Sequence, residues 1–391
     1  MKEDFYRYQT QTSPHPLALE ISHAKGSYIY DIDGNAHLDF VAGVSACSLG
    51  HCHPRVTNAI KNQLDKYAHV MVYGEYIQEP AVAYVKLLAS HLPENLETTY
   101  LVNSGTEAIE GALKLARRAT GRTELISANS AYHGNTMGSL SVMGYEARKG
   151  AFRPLIPDVH FINFNDESDL EKITEKTAGV LLETIQGGAG FIEPENNYLA
   201  KVRQRCTEVG ALLILDEIQP GFGRTGKLFA FEHYNCIPDI LVIGKGMAGG
   251  LPVGAFVASN KLMQTLQHSP KLGHITTFGG NPVIAAASLA TLQEITETNL
   301  IAETLEKEVL FRTYLQHKYI KEIRGKGLML ALIMENSEVA NELILTAAKE
   351  KLILFWLLFE PNAVRLSPPL TISNSEIKAG CDQIISILNR F

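Results

Sequence analysis

Lys245 sits in the glycine-rich run Leu241-Val242-Ile243-Gly244-Lys245-Gly246-Met247-Ala248-Gly249-Gly250, and Asp216 ends the apolar run Ala211-Leu212-Leu213-Ile214-Leu215. A primary amine held in a tight turn can condense with an aldehyde, and a carboxylate at a strand's end can keep a heterocyclic nitrogen protonated. Together they meet the needs of pyridoxal phosphate chemistry at amines. Each residue also has an ordinary reading. Asp216 can be a helix cap, with Glu217 a surface or network residue, and Lys245 a solvent-facing charge.

Other segments add to the pair. Asn103-Ser104-Gly105-Thr106-Glu107 reads either as a capped helix start or as a phosphate cradle, in which hydroxyls and the unpaired amides of a helix N-terminus receive an anion. No lysine follows at the spacing of the nucleotide-binding G-x-x-x-x-G-K-[ST] loop. Tyr132, before His133 and Gly134, can offer an aromatic face to a flat ring or be a half-buried turn residue, and His133 can be a packed or supporting group. Glu183 ends the buried run Val180-Leu181-Leu182, where a charge needs a partner or a task. Gln219 lies three residues beyond Asp216, within reach of a phenolic oxygen on the same ring. Arg365, between Val364 and Leu366, suits either a two-pronged grip on a substrate carboxylate or an interdomain salt bridge.

These residues need a scaffold that gathers strand ends. From Leu101 onward short apolar runs alternate with helix-length periodic segments, which predicts an α/β fold whose mostly parallel sheet is covered by helices on both faces. Polar residues just after several strands put the site at the carboxyl ends. Before this, Gly26 to Tyr30, the turn Asp31-Ile32-Asp33-Gly34 and Leu38 to Phe40 read as a hairpin, and Pro54 opens a helix. After Gly279-Gly280-Asn281-Pro282 come an alanine-rich helix and an α+β region closing with a helix from Glu376 to Leu388. The expected division is 1–53 in a small domain, 54–284 in a large cofactor-binding domain, and 285–391 in the small α+β domain formed with the N-terminal segment.

The 391 residues suffice for a large core and a satellite domain. With 35 Lys plus Arg against 42 Asp plus Glu, and the basic residues scattered, no nucleic-acid partner is expected. Five cysteines form neither a CxxC pair nor a metal framework, which favours reduced thiols, a cytoplasmic setting and no metal. An acidic start and the lack of any run of ~18 apolar residues argue against export and membrane insertion.

Taken together, these motifs resemble the class III pyridoxal-phosphate aminotransferases of fold type I, the group with ornithine, acetylornithine and 4-aminobutyrate aminotransferases. The likeness spans Gly26 to Leu370 and is most specific in Leu215-Asp216-Glu217-Ile218-Gln219-Pro220-Gly221-Phe222-Gly223-Arg224-Thr225-Gly226 together with Lys245. It implies pyridoxal 5'-phosphate covalently bound to Lys245, with Ser104, Gly105 and Thr106 at the phosphate, Tyr132 stacked on the ring and Asp216 on its nitrogen. Gln219 falls near the phenolic oxygen, and His133 belongs to the same cofactor-side motif. Thr277 resembles a threonine that reaches the phosphate of the neighbouring subunit, which implies at least a homodimer. Arg365 resembles the arginine that binds the carboxylate of an amino or 2-oxo acid, and Tyr28 and Tyr73 resemble aromatic substrate-pocket residues. The implied reaction is amino transfer from an ornithine-, acetylornithine- or other ω-amino-acid-like donor to a 2-oxo acid. Aminomutase, racemase or decarboxylase chemistry on the same scaffold, and a non-catalytic homologue, are the alternatives.

Two departures concern the substrate. Asn135 stands where ornithine and acetylornithine aminotransferases usually have an arginine for a distal carboxylate, and Gly188 replaces the second glutamate of their E-P-I-Q-G-E motif, which can mask the carboxylate-binding arginine. A distal carboxylate without its partner forfeits ~2 kcal/mol, more than tenfold in preference, unless Arg148 or Arg153 compensates. Both 2-oxoglutarate and pyruvate stay open as acceptors.

Overall fold

The computed structural model describes all residues, Met1–Phe391. An unexpected strand β1 (Ile21–Lys25) precedes the expected N-terminal hairpin of β2 (Tyr28–Asp31) and β3 (Ala36–Asp39), and all three pair antiparallel. Asp31 closes the turn by accepting the amides of Asp33 at 3.0 Å and Asn35 at 2.8 Å. The helix Pro54–Leu64 starts on its proline, whose missing N–H would have had no partner there anyway.

β4 (Thr98–Val102), β5 (Glu124–Ala128), β6 (Val159–Ile162), β7 (Thr177–Glu183), β8 (Leu212–Asp216), β9 (Ile240–Gly244) and β10 (Gly254–Ala258) make one sheet in the order β4-β10-β9-β8-β7-β5-β6. The five strands from β9 to β6 are parallel, whereas β10 runs antiparallel to both β9 and β4. Every residue of β7, β9 and β10 is buried, because helices cover both faces and leave no side for polar alternation. The helix Gly105–Thr120 lies on this sheet through Ala108, Ile109, Ala112, Leu115 and Ala116. It approaches so closely that a Cβ on Gly111 would stand 2.2 Å from the Phe256 ring, itself stacked on Tyr100 at 5.0 Å.

The rest of the chain supplies β11 (Ile320–Lys326), β12 (Met329–Met334), β13 (Leu352–Ile353), β14 (Phe355–Trp356) and β15 (Ala363–Leu366). Four of them form a sheet ordered β11-β12-β15-β14, while β13 pairs in parallel with β3, so both chain ends share the small α+β domain. The helix Pro282–Glu297 packs on Pro54–Leu64 and on Glu79–Ser90, and residues 284 and 285, on either side of the expected boundary, fall inside it. Buried Arg224 ties the two regions together: its Nη1 donates to Leu328 O at 3.2 Å and to Pro368 O. No helix is long and apolar enough to cross a membrane.

Candidate active site

Parallel pairing explains how residues far apart in the chain converge. Glu183 ends β7 and Asp216 ends β8, directly across the strand pair from each other, and Lys245 follows β9 next door. All three line a cavity of about 450 Å³, with Gly105, Thr106, Tyr132, His133, Gln219 and Arg365. Strand alternation then separates Asp216 from Glu217. Glu217 turns into the protein, accepting Thr184 Oγ1 at 2.7 Å, Ala230 N at 2.9 Å and Phe231 N at 2.7 Å, and is the network residue of the pair.

Asp216 is 3% exposed and held from two sides. Its Oδ2 meets His133 Nδ1 at 2.8 Å and its Oδ1 accepts Ile218 N at 3.0 Å. His133 is in turn 3.3 Å from Ser127 Oγ through its other ring nitrogen, so it acts as a support for Asp216. Glu183 receives the amides of Tyr132 at 3.2 Å and Gly187 at 2.9 Å. Burial pushes its carboxyl up to about 7 despite those bonds, with nearby Asp216 adding to the rise.

Lys245 adopts φ +43°, a left-handed conformation that costs a non-glycine residue energy and persists where surroundings demand it. Burial first, and Arg365 second, push its amine from 10.5 down to about 8, against the opposing pull of Asp216 and Glu183. The lysine is thus a neutral nucleophile and base far more often than a solvated one at neutral pH.

Ser104 caps the helix Gly105–Thr120, its Oγ accepting Glu107 N at 3.3 Å, and its carbonyl accepts Ala108 N at 3.1 Å. The amides of Gly105 and Thr106 precede these and have no acceptor within the helix. A Cβ on Gly105 would stand 2.8 Å from Ile218, and one on Gly134 only 2.3 Å from Thr106 Oγ1, so glycines keep this cradle closed up. The structure forms the capped helix, whose first amides face the cavity side of Gly105 and Thr106 without a helical acceptor.

Arg365 lies on β15, 4% exposed, with Nε and Nη1 lacking any partner and no carboxylate within 4.0 Å. Burial lowers its guanidinium to about 10. The interdomain salt bridge is therefore not formed, and an unpaired buried cation facing a cavity calls for an anion from outside. Of the two arginines considered as substitutes at Asn135, Arg153 is committed to Glu146 at 2.8 Å, and Arg148 lies over the Phe359 ring at 5.7 Å.

Four expected site residues are not among those lining the cavity, the first being Ser104, whose hydroxyl accepts Glu107 N. Tyr28, on β2, does not line the cavity. Tyr73 borders a separate groove with Thr276, Gly279 and Gly280, and Thr277 is exposed beside it. Conversely, Val44, Ile218, Pro220, Phe355, Trp356 and Leu358 line the cavity without having been singled out. Their only sequence signal is apolarity, which a buried strand shares.

The aminotransferase class-III family model matches residues 8–388. The chain belongs to that family. This class-III aminotransferase is 39% identical over 366 residues to an acetylornithine aminotransferase of Bacillus subtilis (strain 168), covering 92% of each chain. It is also 37% identical to a putrescine aminotransferase of Pectobacterium atrosepticum, covering 95% of this chain and 82% of that one. An ornithine aminotransferase structure from Toxoplasma gondii ME49 superposes with a TM-score of 0.91 at 30% identity, covering 100% of this chain and 95% of the other. The fold is thus the type I arrangement of pyridoxal-phosphate transferases, and the class-III aminotransferase is a pyridoxal-phosphate-dependent transaminase acting on amino-acid-like donors. The donor set fits that cofactor: an anion cradle, an amine and an anchored carboxylate surround one cavity.

Proposed function

We propose that the enzyme moves an amino group from a carboxylate-bearing primary amine, of the ω-amino-acid type handled by ornithine and acetylornithine aminotransferases, to a 2-oxo acid. The observation that carries this reading is the convergence of Lys245, Asp216 and the partnerless Arg365 on one cavity. Pyridoxal phosphate, held covalently by Lys245, supplies an electron sink for cleavage of a bond at the donor's reacting carbon. Gly105 and Thr106, with Ser104, would hold its phosphate, Tyr132 its ring face and Gln219 its phenolic oxygen. Asp216, oriented by His133, holds the proton on the ring nitrogen, and Glu183 fixes the Tyr132 and Gly187 backbone around the ring.

Lys245 Nζ would take the proton from the donor's reacting carbon, a task suited to an amine lowered to about 8. Arg365 grips the donor's carboxylate through two parallel bonds and so fixes which hydrogen faces that amine. A second copy of the chain, in a cytoplasmic homodimer, supplies Thr277 to the phosphate. The exposure of Thr277 away from its own cavity supports this.

A panel of amino donors, assayed with pyruvate and with 2-oxoglutarate and followed by product identification, tests the reaction. A 2-oxo or aldehyde product with conversion of the bound cofactor to its amine form is expected. Recovery of an isomer or of carbon dioxide instead would point to aminomutase, racemase or decarboxylase chemistry. Arg365→Gln is expected to lower kcat/KM about 100-fold for carboxylate-bearing donors and much less for a carboxylate-free amine. Equal losses for both would remove its carboxylate role.

The amine also gives a pH dependence. Uptake of pyridoxal phosphate by the apoenzyme, followed by absorbance, should quicken about tenfold per pH unit below about 8 and level off above it, because only neutral Nζ attacks. Because Arg365 depresses that amine, Arg365→Gln should move the midpoint upward. A rate flat from pH 6 to 9 would contradict the assignment.

A further inference from the structure

The cavity mixes charged and apolar lining. Lys245, Asp216, Glu183 and Arg365 share it with Ile218, which stands against Gly105, and with Pro220, while Val44, Phe355, Trp356 and Leu358 give it an apolar wall. Phe355 is the direct cross-strand partner of Arg365 in the β14–β15 pair, so the two side chains share one face of the sheet. A carboxylate gripped by Arg365 therefore brings the rest of its molecule against the Phe355 ring, which is 40% exposed.

The polar groups around this wall are already engaged. Trp356 donates its only N–H to Asn341 Oδ1 at 2.6 Å, and Asn135 Nδ2 donates to Tyr132 Oη at 3.1 Å. Nor is there room for a charge at residue 188. A Cβ on Gly188 would stand 2.7 Å from the Phe359 ring, which is itself stacked on Tyr145 at 4.5 Å and lies beneath the Arg148 guanidinium. Arg365 thus has no carboxylate from its own chain to compete with a substrate.

Val44 adds strain to the same wall. It has φ +60° within the left-handed run Ala42–Ser45, an outlier for a β-branched side chain. Asp39 secures the run, its Oδ1 accepting the amides of Val41 at 2.8 Å and Ala42 at 2.9 Å. Strain of this kind persists where it aims a side chain.

We propose that Phe355, Trp356 and Leu358, together with Val44, select donors that carry a bulky apolar group, aromatic or branched aliphatic, beside the carboxylate held by Arg365. A chain ending in a second charged group finds no charged partner among these four side chains, and the adjoining Arg148 guanidinium already donates to Leu358 O at 3.4 Å and lies over the Phe359 ring. The inference rests on the aminotransferase reading, and within it puts donors with an apolar end in place of the charged-ended ornithine type. A site that buries one extra apolar group discriminates by roughly 10- to 200-fold per methylene-sized difference, and a phenyl group exceeds that size.

The test measures kcat/KM of the holoenzyme with pyruvate for two matched pairs, phenylalanine against alanine and 3-amino-3-phenylpropanoate against 3-aminobutanoate. Ornithine and N-acetylornithine serve as charged-ended competitors. In at least one pair the phenyl donor should win by more than about tenfold and should also exceed both competitors. Phe355→Ala and Trp356→Ala should each shrink that ratio at least about tenfold, while Phe355→Leu and Trp356→Phe keep most of it. Preference for ornithine or N-acetylornithine, or a ratio untouched by both alanine variants, would overturn the proposal while leaving the aminotransferase reading intact. No conversion of the bound cofactor by any donor would remove that reading, and the wall with it.

Discussion

Lys245→Ala should bring turnover down by at least about 10⁴-fold, because one substitution removes both the covalent attachment point and the base for proton transfer. The position magnifies the loss. Lys245 leaves β9 in a left-handed conformation, and burial together with Arg365 lowers its amine to about 8. No other lysine lines the cavity, so no neighbour can take its place. The fold should survive, since alanine at this site deletes a buried charge without opening a packed apolar core. Steady-state assays with the best donor, beside a thermal melt of the apoenzyme, check both halves. Turnover within tenfold of wild type would contradict the role given to Lys245.

The second large effect is expected at Asp216. Asp216→Asn preserves size and leaves a carbonyl that can accept Ile218 N, yet removes the negative charge in a site 3% exposed. A charge in such a setting does far more than one in water, and losing one preorganised electrostatic partner typically costs about 10²- to 10³-fold in rate. Turnover of Asp216→Asn should fall by that factor while the phosphate cradle, on another element, still binds pyridoxal phosphate. An absorbance band of the bound cofactor shifted from wild type should accompany the loss. Wild-type turnover and an unshifted band would sink the assignment.

Much of this arrangement was legible before any coordinates. Strand-end residues could be read because buried parallel strands leave continuous apolar runs, so that a charge such as Glu183 or Asp216 at the end of one marks itself. The hairpin was readable from Asp31-Ile32-Asp33-Gly34, whose turn chemistry is local, and the cradle from Ser104 before a periodic helix. The antiparallel direction of β10 was not readable, since Gly254-Ala255-Phe256-Val257-Ala258 is buried on both faces like its parallel neighbours. Nor was the apolar wall. Nothing in the types of residues Leu352 to Phe359 marks them for a site, and it is the pairing of Phe355 with Arg365 that puts the two on one face. Tyr28 and Tyr73 mark a limit of residue type: within one copy of the chain Tyr28 stays on β2 outside the cavity lining, and Tyr73 borders the groove that holds Thr276.

Everything turns on one nitrogen atom reaching the cofactor. Borohydride reduction of the holoenzyme, proteolysis and mass mapping locate it directly. The expected product is a single reduced pyridoxyl adduct on the peptide containing Lys245, absent from Lys245→Ala. An adduct on Lys114 or any other lysine, with Lys245 unmodified, would contradict the assignment outright.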